Sequence, residues 1–255
     1  MDILVVIAHP DDESFGCGST IAYAASRGAR VGVCCATSGE AGEIAEGVDL
    51  HGRRLADVRA EELRRATEIL GAQCVEPLGL VDSGWDGPAP DGSLCGVPSD
   101  DLANRVGEVI ERHRPDAVLT LAGDDGHRDH LRLAAATEQA FADAAGAGAS
   151  LYRWCLPNDL MRRWAEEMAA LRPDTAHLAL EIASLGTPPS ECTTVLDTSR
   201  FLDRRRAAVA AHRTQTSPYD GLSPDLENAF LTKDYLIRVA NGPRSDDAGA
   251  RYFGR

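Results

Sequence analysis

Apolar residues along the 255-residue chain fall into two kinds of run. Short ones, ILVVIA (3–8), VGVCCAT (31–37), AVLTLA (117–122) and LYRWCL (151–156), have the length and composition of buried strands. Between them, over 19–28, 53–71, 99–115 and 130–146, apolar positions recur every three to four residues, the period of a helix with one buried face. Ser99 reads as the N-cap of the third helix, which closes before Pro115, and Gly71 ends the second as C-terminal glycines commonly do. Strand and helix alternate, so the pattern predicts an α/β fold, a Rossmann-like and mostly parallel sheet with helices on both faces. From about residue 173 the periodicity loosens, leaving a basic helix over 200–215 and a last strand over 234–240. No long linker intervenes, so residues 173–255 are expected to complete the domain begun by 1–172, over the mouth of its site, with 1–255 forming a single domain.

Composition narrows the partners. Hydrophobic residues make up 44%, enough for a substantial core. The formal charge is −14 and the basic residues form no stripe, which argues against nucleic acid and anionic membrane as partners. The chain begins with a strand-like run instead of a leader, and no apolar run approaches the roughly 20 residues that span a bilayer. Seven cysteines are scattered without a C-x-x-C pair, as expected of reduced thiols in a cytoplasm. Together these predict a cytoplasmic protein that does not insert into membranes. A homo-oligomer is compatible with the sequence, which carries no feature that reports on assembly.

In a parallel sheet, ligands bind beyond the carboxyl ends of the strands. Two polar clusters stand at such ends. His9-Pro10-Asp11-Asp12-Glu13 follows the first strand, and Asp124-Asp125-Gly126-His127-Arg128-Asp129-His130 follows AVLTLA. Imidazole and carboxylate together suit a divalent metal, and His9, Asp12 and His130 are available as ligands. Each cluster taken singly also reads as a helix cap or a solvated loop. Asp11 or Asp12 could cap the helix that follows, as could Glu13 and Ser14. The G-x-G of GCGSTI opens like a dinucleotide site, but its third glycine is missing and acids stand where a pyrophosphate would sit.

AHPDDES together with GHRDH resembles the PIG-L/LmbE-like deacetylases, metal-dependent hydrolases that remove acetyl from N-acetylglucosamine-containing small molecules or lipids. SGEAGE (38–43), RAEELRRATEILG (59–71), DSG (82–84) and AAHRTQ (210–215) carry the resemblance across most of the chain. It implies that His9, Asp12 and His130 bind zinc, with iron(II) as the other candidate. It also implies that Asp11 is the general base toward the attacking water, that His127 stabilises the oxyanion and protonates the leaving amine, and that Asp129 holds the His127 ring. Arg59 matches an arginine that contacts sugar hydroxyls; it also reads as a helix-surface arginine paired with Glu62. Asp82 falls in the DSG stretch as a substrate contact, Trp85 after it could stack on a sugar face or simply pack, and His212 could line the site. His51, His113 and His177 read as structural or exposed. Two departures concern specificity: Arg128 stands where the family often has proline, and Asp125 where some members have tyrosine.

The expected reaction is removal of an N-acetyl group from a small N-acetylglucosaminyl compound, a sugar-thiol precursor or an antibiotic sugar. Within the same chemistry stands an amidase cleaving a larger acyl group from a glucosaminyl conjugate such as a mycothiol conjugate. A metal-binding protein without turnover and a magnesium phosphatase are the readings from other classes. The first has no use for Asp11 and His127, and the second is disfavoured by two imidazole ligands.

Overall fold

The computed structural model describes residues 1–146, 148–241 and 253. The apolar runs form β1 (Ile3–Ile7), β2 (Val31–Thr37), β4 (Ala117–Leu121) and β5 (Ser150–Cys155), every residue of the first three being buried. With β3 (Cys74–Leu80), β6 (Thr194–Asp197) and β7 (Lys233–Asn241) they make a seven-stranded sheet in the order β3-β2-β1-β4-β5-β7-β6. The first five pair in parallel; β7 runs antiparallel to both β5 and β6. Residues beyond 173 thus extend the sheet itself.

Helices α1 (Asp12–Phe15), α2 (Gly18–Ser26), α3 (Leu55–Leu70), α4 (Ser99–His113) and α5 (Arg128–Ala144) connect the parallel strands. The remaining ones are α6 (Asn158–Leu171), α7 (Leu202–Val209) and α8 (Pro224–Leu231). On α4 the buried positions Leu102, Ala103, Val106, Val109 and Ile110 repeat with the helical period. Gly71 closes α3 in the left-handed conformation, as expected. At the head of α4 the expectation is corrected: Pro98 takes the N-cap place, and Ser99 is the first helical residue with no side-chain cap bond.

Several elements lie outside those expected, β3 and α6 among them. β3 is an edge strand, half exposed and carrying Pro77, so its sequence lacks the unbroken apolar run of a central strand. α6 presents Leu160, Met161, Trp164, Ala165 and Met168 to a second apolar cluster that also contains Tyr219, Leu226 and Phe230. The basic helix is shorter than expected, since α7 ends at Val209 and His212 lies in the turn beyond it.

The strand order reverses direction at β1, between β2 on one side and β4 on the other. There the connections from β1 and β4 leave toward opposite faces, and a crevice opens at their carboxyl ends. The clusters at 9–13 and 124–130 meet in it.

Candidate metal centre and active site

Asp12 is fixed first. Its Oδ2 accepts the backbone N–H groups of Ala8 and His9 at 3.0 and 2.8 Å, which folds the chain sharply at the end of β1. Asp11 occupies φ 153°, ψ −24°, a conformation that residues with a side chain rarely adopt. Around Asp12, His9 Nδ1 stands 3.1 Å from His130 Nε2, His130 Nε2 3.3 Å from Asp12 Oδ1, and His9 Nδ1 3.9 Å from Asp12 Oδ2. Ligands about 2.0–2.1 Å from a tetrahedral ion lie about 3.3 Å apart. The spacing and chemistry of these donors therefore fit a divalent metal.

Each imidazole is held from behind by carboxylates. His130 Nδ1 meets Asp125 Oδ2 at 2.5 Å, and His9 Nε2 meets Asp129 Oδ2 at 3.2 Å and Asp82 Oδ1 at 3.5 Å. A carboxylate on one ring nitrogen places its proton there and turns the other nitrogen toward the ion. Two further donor groupings lie close enough to share an ion, His9 with His127 and His130, and His9 with Asp82 and Asp129. They fit less well. Asp129 Oδ2 and Asp82 Oδ1 already accept from the backbone N–H groups of Ser83 and Gly84, and His127 Nδ1 from that of Asp129.

The acids and imidazoles shift one another strongly. Burial is the largest single influence on His9 and lowers it, but Asp129, Asp82 and Asp12 together lift it to about 9. His130 is likewise raised well above its ordinary value, Asp125 and Asp12 outweighing burial. Against burial, which would raise them, Asp12 and Asp129 are held well below the usual carboxylate range, chiefly by His130 and by His9 respectively. Asp11 moves the other way. Burial lifts it to about 6, even though the Arg59 guanidinium pulls it down. His127 is pushed down to about 4 by burial and then by the positive charge of His9 and His130.

Arg59 is 3% exposed, so the reading of it as a surface arginine paired with Glu62 does not hold. Its Nη2 donates to Asp11 Oδ2 at 2.8 Å and to Pro10 O at 2.9 Å, and its Nη1 to Gly39 O at 2.5 Å. Glu62 instead accepts from the backbone and hydroxyl of Thr214. A Cβ at Gly39 would lie 2.4 Å from Arg59 Nη1 and one at Gly42 2.5 Å away, which accounts for both glycines of SGEAGE.

Several expected roles change. The Asp129 carboxylate faces His9, Ser83 N and Cys95 Sγ; only its backbone N–H reaches the His127 ring, at 3.2 Å. Asp82, 5% exposed, turns inward to His9 and Gly84 N. His212, 2% exposed, pairs with buried Glu13 at 2.7 Å and lies beneath the site. Glu13 and Ser14 sit inside α1, where Ser14 Oγ donates to Glu13 Oε1 at 2.6 Å, and cap nothing.

Trp85 stands edge-on to His127 with ring centroids 5.3 Å apart, and His177 lies 4.7 Å from Trp85. His177 was not expected at the site, since the irregular segment that carries it has no readable period. Arg128 fixes the loop bearing Trp85 by donating to Gly84 O, Gly87 O and Asp86 O at 2.7, 2.7 and 2.9 Å. Next to Asp12, Asp125 and His130 a cleft of about 290 Å³ runs between α6 and the turn at 216–219, with Trp154, Trp164 and Phe230 among its walls.

The sequence pattern of the PIG-L family, described as GlcNAc-PI de-N-acetylase, matches residues 4–141, more than half of the chain. A 1D-myo-inositol 2-acetamido-2-deoxy-alpha-D-glucopyranoside deacetylase of Thermomonospora curvata is 33% identical over 276 residues, spanning 95% of this chain and 91% of that protein. Among solved structures, the N,N'-diacetylchitobiose deacetylase of Pyrococcus horikoshii superposes with a TM-score of 0.63 over 96% of this chain and 88% of its own, at 17% identity. The 4-carboxy-2-hydroxymuconate hydratase of Pseudomonas putida does so with a TM-score of 0.61 over 97% and 99%, at 21% identity. One fold thus serves two reactions, and the reaction must be read from the site.

Proposed function

From the premise that the chain belongs to the PIG-L family and is an N-deacetylase, we propose that it hydrolyses the acetamide of a small N-acetylglucosaminyl compound at a zinc ion held by His9, Asp12 and His130. The observation that carries this is the convergence of those three donors with Asp11 beside them, its carboxyl raised by burial where those of Asp12, Asp82, Asp125 and Asp129 are depressed. Zinc bound there supplies a Lewis acid that polarises the acetamide carbonyl and makes a water more acidic.

The protein's own groups do the rest. Arg59 grips Asp11 Oδ2 and holds the carboxylate beside the donors, where Asp11 takes a proton from the attacking water. A base titrating near 6 is ionised at neutral pH yet gives its proton back readily, and the departing amine needs that proton. His127 accepts the Asp129 N–H on Nδ1, so its own proton sits on Nε2 and donates to the carbonyl oxygen as charge gathers there. Asp125, Asp129 and Asp82 are positioning residues, acting through the two imidazoles.

The relative of 33% identity supports an N-acetylglucosaminyl-inositol as substrate, and Trp85 offers a face for the sugar. We read residues 1–255 as one catalytic unit, supported by β6 and β7 in the sheet and by the bond from Gly186 N to Asp124 O at 3.0 Å, which ties the late segment to the second cluster. We place the enzyme in the cytoplasm, supported by free cysteines at all seven positions. Among the described residues no helix is long and apolar enough to cross a membrane.

Release of acetate from N-acetylglucosaminyl-inositol tests the reading. It should stop when a chelator strips the protein and return with added zinc. Turnover indifferent to the chelator would refute it.

A further inference from the structure

The cleft beside the metal site is chemically unlike the site itself. Its carboxylates cluster at the metal end, and they are engaged, while His177 and Thr216 are further polar side chains on its lining. Asp125 bonds the His130 ring and the N–H of His127, Asp124 accepts the Thr187 hydroxyl, and Asp12 holds the turn after β1. Farther in, the walls are Phe15, Leu121, Trp154, Met161, Trp164 and Phe230. Two of the polar atoms that these aromatic walls could offer to a sugar are spent within the protein. Trp164 Nε1 donates to Pro218 O at 2.8 Å, and the Tyr219 hydroxyl donates to Phe15 O.

A polyhydroxylated group entering this space would lose its water and find few partners, which is costly. An apolar group would lose nothing and bury its surface. The cleft, at about 290 Å³, stands at the small end of ligand pockets. It touches two of the three proposed metal ligands, so a substrate reacting at the metal has one substituent pointing into it.

Resting on the deacetylase reading above, we infer that the cleft is a specificity pocket for an apolar substituent of the amide substrate. The preferred substrate therefore carries an aliphatic or aromatic group of several carbons on the acyl or the glycosidic side of the sugar. A bare acetyl group joined to a polyol aglycone leaves this pocket unfilled.

Two series of substrates assayed with the full-length, zinc-loaded protein test this. One lengthens the N-acyl group of glucosamine from acetyl to octanoyl; the other lengthens the alkyl aglycone of N-acetylglucosamine from methyl to octyl. In one series kcat/KM should rise about fourfold per methylene over the first few carbons and then level off as the pocket fills. The series that rises identifies the side of the substrate. Ala122→Phe and Thr216→Trp, which place bulk on the lining at a half-buried and an exposed position, should each flatten that rise to within about twofold.

Flat or falling profiles in both series, with an inositol aglycone the best substrate, overturn the inference and leave the deacetylase intact. If no compound in either series is hydrolysed, the catalytic reading fails separately, and binding decides this one. Hexanoyl or hexyl members should then quench tryptophan fluorescence of Asp11→Asn at concentrations at least tenfold below their acetyl or methyl counterparts. Equal concentrations would overturn the pocket too.

Discussion

Two buried constellations of charge sit side by side in this protein, and they are built on opposite principles. Beneath the site, Arg205, 1% exposed, meets Asp234 Oδ1 at 2.5 Å and donates also to the carbonyls of Ser14 and Phe15. Asp234 Oδ2 accepts the N–H and hydroxyl of Thr20 at 2.6 and 2.7 Å. One cation faces one anion there, and hydrogen bonds satisfy the remainder. In the crevice above, the carboxylates of Asp11, Asp12, Asp82, Asp125 and Asp129 face one permanent cation, Arg59. The lower group closes on itself and ties α1, α2, α7 and β7 together. The upper one has an excess of negative charge, which protons on His9 and His130, or a divalent ion between them, would reduce by half. Unbalanced charge inside a fold marks the place where something else must bind.

The comparison predicts opposite failures. Removing a ligand from the upper group should abolish function and spare the fold. His130→Ala should retain no metal after dialysis and show no turnover above background, while its thermal unfolding midpoint stays within a few degrees of the metal-free parent. Circular dichroism and metal analysis on the same samples check this. Unfolding of His130→Ala would mean that the upper group is structural as well.

The lower group should fail the other way. Arg205→Leu leaves Asp234 buried and unpaired, which should cost about 3–5 kcal/mol of stability, measured by denaturant unfolding. Any loss of activity should follow from the unfolded fraction. A folded but inactive Arg205→Leu would break the distinction. The smallest effect separates the ligands from the groups behind them. Asp125→Asn keeps the shape but weakens the hold on His130 Nδ1, and zinc affinity should fall about 10- to 100-fold without being lost. Competition against a chelating dye measures it.

The sheet was legible because β1, β2, β4 and β5 are short, mostly apolar runs, and that pattern survives without knowledge of neighbours. β3 was not, because an edge strand with Pro77 has too little buried surface to leave a signature. The metal donors could be read because the chemistry demands histidine and aspartate within a few residues of a strand end. Their partners could not. Which carboxylate backs which imidazole depends on how β1, α5 and the turn after β3 meet, and spacing along the chain does not encode that. Hence Asp129 was assigned to the neighbouring His127 when it serves His9, 120 residues away. Arg59 shows the same limit: its position on α3 pairs it naturally with Glu62, yet burial directs it to Asp11.

The account turns on Asp11 as the base beside a metal that it does not bind. The most direct test is zinc content and acetate release measured together on Asp11→Asn. Asparagine keeps the size of the side chain and loses its basicity, so the variant should hold zinc at the stoichiometry of the parent and turn over about 10²- to 10⁴-fold more slowly. Loss of zinc along with activity would make Asp11 a ligand, and activity near that of the parent would remove it from the reaction altogether.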